Sequence, residues 1–170
     1  MRKIAFLFVL ALTFFSCDDG DLTLDEIDLT TSADIDACTI EAGVTLLFKI
    51  NGAETLILEI PTDLIVNEVT VTDTPRTKTL NSQAFCYYRS FDTTITTNYF
   101  CDQLPSDVNS TLEYIAVAGE VQVTTVEVLN GTTLEGYEHT INFSEVVFTG
   151  TNGQDVRYDF FVFGTLVTPL

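Results

Sequence analysis

From residue 38 onward, apolar and polar residues alternate with a period of two, the spacing of an extended chain with one face buried. In "VTLLFKINGAETLILEI", Val44, Leu46, Phe48 and Ile50 alternate with Thr45, Leu47 and Lys49, and Leu56, Leu58 and Ile60 line one face of a return strand. Asn51-Gly52 between them supplies the positive φ angles of a tight turn, so this stretch predicts a β-hairpin. "NEVTVTD" predicts a short strand cut off at Thr74-Pro75. "SQAFCYYRSFDTTITTNYFC" predicts a second hairpin turning near Asp92–Ile95, with a loop at Pro105 and "SDVNS" after it. "TLEYIAVAGEVQVTTVEVL" is too long for one straight strand, and Gly119 or Thr124-Thr125 marks a bend, bulge or turn within it. Beyond Asn130-Gly131 come "YEHTINFSEVVFTG", a turn at Asn152-Gly153, and "DVRYDFFVFGTLV". Phe160, Phe161, Val162 and Phe163 are apolar on both faces, the pattern of a central, covered strand. No convincing helix interrupts this series. The expectation is an all-β domain: an antiparallel β-sandwich or flattened barrel of about 8–10 short strands.

The first residues follow a different pattern. Arg2 and Lys3 precede "IAFLFVLALTFF", an apolar run too short to span a bilayer as a helix, and then come Ser16 and Cys17. Phe14-Phe15-Ser16-Cys17 resembles the signal of a bacterial lipoprotein, although Phe15 stands where a small residue is usual. The resemblance implies cleavage before Cys17 and lipid on its sulfur. An ordinary secretory signal is the competing reading. From Asp18 to Asp36 there are eight acidic residues and no basic ones, so like charges repel and little can be buried. This predicts a tether, which at about 3.3 Å per residue would reach some 65 Å from the lipid. The expected division is residues 1–16 as signal peptide, 17–37 as lipidated cysteine and acidic tether, and 38–170 as one β domain. "CDDGD" also resembles the export signal of Bacteroidota surface lipoproteins. That implies an outer-membrane protein facing outward, with the periplasmic face as the alternative.

Charge narrows the function further. The chain carries a net −18; without residues 1–16, which hold Arg2 and Lys3, five bases stand against 25 acids. Phosphate recognition needs clustered Lys and Arg, so nucleic acid is excluded as a partner. A small basic island, Arg76 and Lys78 in the expected turn "TPRTKT" together with Arg89, reads as solvated residues.

An exported chain is free to form a disulfide. With Cys17 lipidated, Cys38, Cys86 and Cys101 remain. Chain entropy favours a Cys38–Cys101 bridge over Cys86–Cys101 only modestly, about 4.3 against 3.1 kcal/mol. Cys86 lies mid-strand in "AFCYY", where a free cysteine acts as a small hydrophobe, whereas Cys38 and Cys101 lie beside acidic loops that can adjust. Cys38–Cys101 is therefore the favoured pair and Cys86–Cys101 the alternative. No Cys-x-x-Cys accompanies them.

Catalytic machinery is sparse. His139 is the only histidine, and its near neighbours Glu138 and Ser144 do not suit a hydrolytic triad along one strand. His139 reads instead as a structurally satisfied residue. No conventional zinc set, EF-hand spacing or phosphate-cradling glycine loop is present, so neither metal nor cofactor is expected. Tyr87, Tyr88, Tyr99 and Tyr137 are the alternatives to tryptophan for stacking a sugar, but each reads first as packing. Asp92-Thr93-Thr94, at the expected hairpin tip, resembles the O-glycosylation motif of Bacteroidota exported proteins, with Thr93 as the acceptor.

Taken with the lipobox, "LLFKINGAETLILEIP", "TNYFC" and "YDFFVFG" make the whole chain resemble the small flavobacterial lipoproteins of unknown function. The resemblance implies a location, with the membrane as partner through the N-terminal lipid. The expected function is a non-catalytic binding or adhesion module of the cell envelope, its extracellular or envelope ligand unspecified. The alternative is a structural or accessory subunit of an outer-membrane complex.

Overall fold

Asn51-Gly52 turns the chain as its residues require. In the computed structural model, which describes Leu29 and residues 31–72, 74–102 and 107–170, Gly52 sits at φ 66° between β1 (Leu46–Asn51) and β2 (Glu54–Glu59). β3 (Arg76–Thr79), β4 (Phe85–Phe91), β5 (Ser110–Asn130), β6 (Thr133–Gly150) and β7 (Asp155–Pro169) complete a seven-stranded antiparallel sheet in the order β1-β2-β4-β5-β6-β7. β3 pairs with the second half of β5 on the same side as β4. The sheet curls into a half-barrel. The all-β class and the lack of any substantial helix follow the sequence pattern; one four-residue turn, α1 (Asn98–Cys101), is the described α-helix.

Fewer, longer strands do the work expected of more numerous short ones, because the two longest bend. In β5 the buried side chains are Tyr114 and Ala116, then Val121, Val123 and Thr125; in β6 they are His139, Ile141 and Phe143, then Val146 and Phe148. Both strands change face at one level. There the β5–β6 register shifts around Ala118, Gly119 has φ 112°, and Glu145 has φ 51°. A Cβ on Gly119 would lie 2.7 Å from Val146 Cα and 2.9 Å from Ser144 O. Glycine thus lets the two backbones close at the bend. Of the two bend positions read from the sequence, Gly119 is the one used; Thr124-Thr125 continues the strand.

Four sequence expectations are corrected. "NEVTVTD" forms no strand over its described residues: Thr70 N–H donates to Thr125 O at 3.1 Å and Thr125 N–H to Thr70 Oγ1 at 3.1 Å, so a side chain replaces one ladder bond. "TPRTKT", expected as a turn, supplies β3. The second hairpin does not close, because after β4 the chain leaves the sheet and folds over its outer face. There Phe100 of α1 stacks on Phe48 with ring centroids 4.3 Å apart, and Tyr99 meets Phe91 edge-on at 4.8 Å. β7 is an edge strand rather than a central one, and its Phe160 and Val162 are 60% and 53% exposed. Phe161 and Phe163 are buried beside Phe143, so only one face of "FFVF" is covered.

The domain also begins earlier than residue 38. Leu29, Ile35 and Ala37 are buried, and Asp36 and Phe48 exchange backbone hydrogen bonds of 2.8 and 2.9 Å. Ile35 lies against Gly164 of β7, so residues 31–37 form a strap between β1 and β7. Lys49 fastens it. Its buried ammonium donates to Thr31 O at 2.7 Å and Phe163 O at 2.9 Å, joining strap, β1 and β7. Burial lowers the Lys49 pKa, and Asp34 opposes that shift. Residues 1–28, where the sequence pattern predicts a signal peptide, a lipidated Cys17 and most of an acidic tether, lie outside the described residues, as do 103–106 around Pro105.

Candidate functional site

Cys38 and Cys101 are bonded across a sequence separation of 63, with Cα atoms 5.3 Å apart. The bridge follows from the unclosed second hairpin. Cys101 rides α1 over the outer face near the strap, while Cys86 points into the core with no exposure. Burial raises the Cys86 thiol pKa, so it stays protonated and unreactive, and the alternative Cys86–Cys101 pair does not form. Thr97 Oγ1 donates to Asp36 Oδ2 at 2.9 Å, a second tie between the strap and the segment leading into α1.

His139 forms a closed network. It is fully buried, with Nδ1 2.8 Å from Thr125 Oγ1 and Nε2 2.9 Å from Thr168 Oγ1. Asn67 Nδ2 donates to Pro169 O, which turns its Oδ1 to accept from Thr168 Oγ1 at 2.5 Å. Thr168 has then given its proton away and accepts from His139 Nε2–H. On the other side Arg76 donates to Thr125 Oγ1 at 2.8 Å and also to Glu68 O, so the Thr125 hydroxyl donates to Nδ1. The network thus assigns a neutral imidazole protonated on Nε2. Burial lowers its pKa to about 4, and Arg76 acts in the same direction. With both nitrogens occupied and no solvent access, His139 joins β5, β6, β7 and the segment before β3, as a satisfied histidine should.

The remaining candidates do not converge. Thr93 is exposed in the loop between β4 and α1, and its neighbour Asp92 accepts from Asn109 N–H at 3.3 Å and Nδ2 at 3.2 Å. Tyr88 is buried against Tyr114, and Tyr99 packs on Phe91 and Phe100. Tyr87 lies beneath the Arg89 guanidinium at 5.3 Å, and Tyr137 is half-buried on β6. The basic island is spoken for within the fold: Arg76 in the histidine network, Lys78 with Asp63 at 2.6 Å, and Arg89 with Glu113 at 2.5 Å. Among the described residues no group of three His, Cys, Asp or Glu side chains is placed to hold a metal.

One feature had no signal in the sequence pattern. At the start of β1, the end of β2 and the entry to β4, an open groove of about 450 Å³ is lined by Thr45, Leu46, Glu59, Ile60, Pro61, Gln83 and Phe85. Leu46, Glu59 and Phe85 stand in one cross-strand row. The row exists only because β4 pairs with β2 across an intervening segment that includes β3. No family model matches this chain, and no curated protein or solved structure matches it either.

Proposed function

We propose that the protein is a lipid-anchored module of the cell envelope, non-catalytic, that binds or adheres to an extracellular or envelope ligand. The observation carrying this reading is the stapled N-terminal end of the domain. The strap is held by core side chains, by Lys49 and by the Cys38–Cys101 bond, and it leads back in sequence to "FFSCDDGD". A domain pulled on by its anchor needs the end nearest that anchor secured, and a disulfide suits an oxidising compartment. Engagement of the lone histidine in a structural network supports the non-catalytic part. Cys17 carries the lipid and the acids after it direct the protein outward, on this reading. Thr93 is accessible as a glycan acceptor.

The bare side chains of Phe160 and Val162 on β7 favour a second reading, an accessory subunit that covers this face with an outer-membrane partner. One experiment addresses both. Wild type and Cys17→Ala are labelled with a palmitate analogue in the native host, and intact cells are then treated with protease. Label that depends on Cys17, with the domain shaved away, is the expected result. Label with protection favours the accessory subunit, and absence of label overturns the lipid anchor.

A further inference from the structure

We propose that the groove beside Phe85 binds a small organic cation, an alkylammonium or quaternary ammonium group carried on a short apolar body. The groove size falls within the range of small-molecule sites, and its chemistry is mixed in a particular way. Leu46, Ile60 and Pro61 supply apolar walls, and Phe85, 37% exposed, adds an aromatic side chain to the lining. Directly across the strand pair from Phe85 stands Glu59, which forms none of the ion pairs found among the described residues. An unpaired carboxylate one cross-strand step from an aromatic ring attracts positive charge from two directions, through its own charge and through the ring's negative face.

The same strand face already shows this preference. Tyr87, two residues along β4 from Phe85, holds the Arg89 guanidinium over its ring. The Tyr87 hydroxyl pKa is raised by burial and then by Glu59, which places the Glu59 charge close to this row. Gln83 Oε1 accepts from Thr79 N–H at 3.1 Å, so its NH2 end is the part left to donate, and Thr45 is a second polar residue of the lining. These two suit a polar tail on the ligand. The net charge of −18 disfavours an anionic ligand and favours a cationic one.

The proposal rests on the binding-module reading only in giving that module a ligand class. Choline is the probe, and its uncharged carbon isostere 3,3-dimethylbutan-1-ol is the control of equal shape. Both are titrated into isotope-labelled protein while backbone amide shifts are followed. Choline is expected to give saturating shifts centred on Glu59, Gln83 and Phe85, with the isostere about tenfold weaker. Glu59→Gln, at an exposed position that leaves the fold intact, should bring choline down to the level of the isostere. Phe85→Leu should weaken choline more than the isostere. Equal binding of the two probes, no saturation, or shifts spread over acids elsewhere on the surface would each overturn the assignment. None of these results touches palmitate labelling at Cys17, so the two readings fail separately.

Discussion

His139 shows how little a residue's type says about its role until its partners are known. A histidine among carboxylates invites a catalytic reading; one enclosed by Thr125, Thr168, Asn67 and Arg76 is a strut. Its pKa of about 4 in the fold, against about 6.5 in the unfolded chain, has a definite consequence. Between those values the unfolded chain binds the extra proton, so stability rises with pH. The histidine's contribution is fully present above about pH 6.5 and falls as pH drops toward 4, by on the order of 3 kcal/mol. Urea denaturation at intervals across that window should show the slope, and His139→Leu should flatten it. The same substitution should cost about 2 kcal/mol at neutral pH, because Thr125 and Thr168 lose their shared partner. A histidine exposed to solvent would leave the slope unchanged on substitution.

At the scale of elements, the strap and the bend are the parts that hold the curled sheet together. Removing the disulfide as Cys38→Ser/Cys101→Ser should cost about 4 kcal/mol, from the loop it closes. Hydrogen exchange in that variant should quicken first across residues 31–37 and α1. A chain begun at residue 38, where the alternating pattern starts, lacks Leu29, Ile35 and the Thr31 carbonyl that Lys49 needs. It should melt lower than one begun at residue 29 with Cys38–Cys101 intact in both; equal melting temperatures would contradict the strap. At the bend, Gly119→Ala brings a methyl against Val146 and Ser144 backbone at a φ of 112°, and should cost about 2–4 kcal/mol. Gly52→Ala has open space around it, so it should cost only the left-handed strain, about 1 kcal/mol. Chemical denaturation of the two variants side by side separates crowding from strain.

For the whole molecule, placing β7 at an edge changes what its apolar run is worth. If Phe160 and Val162 were core residues of a central strand, polar replacements would unfold the protein. At the observed exposures, Phe160→Thr/Val162→Thr should move stability by no more than about 0.5 kcal/mol. Phe161→Thr, one residue along and buried, should be strongly destabilising. Equilibrium denaturation of the two variants tests the strand order itself.

Strand class, the Asn51-Gly52, Asn130-Gly131 and Asn152-Gly153 turns and the Gly119 bend were legible along the chain, because each follows from the local rules of φ, ψ and alternation. The favoured cysteine pair was legible too, on the argument that a mid-strand cysteine behaves as a hydrophobe. "NEVTVTD" and "FFVF" misled for a single reason: alternation says that a chain is extended, but not whether a neighbour lies beside it. Thr70 meets β5 through a side chain, and β7 has no described strand pairing with its outer edge. Lys49 sat at an ordinary polar position of an alternating strand, and only the approach of Thr31 and Phe163 made it a buried clasp. Glu59 and Phe85 are 26 positions apart, and nothing local to either foretells the other. By itself the sequence determined extended structure, turn positions and net charge, properties set within a few residues. The tertiary structure decided which strand lies at an edge, where the domain begins, what His139 does and where a groove opens. Those depend on contacts between residues remote along the chain, and such contacts exist only once the sheet has curled.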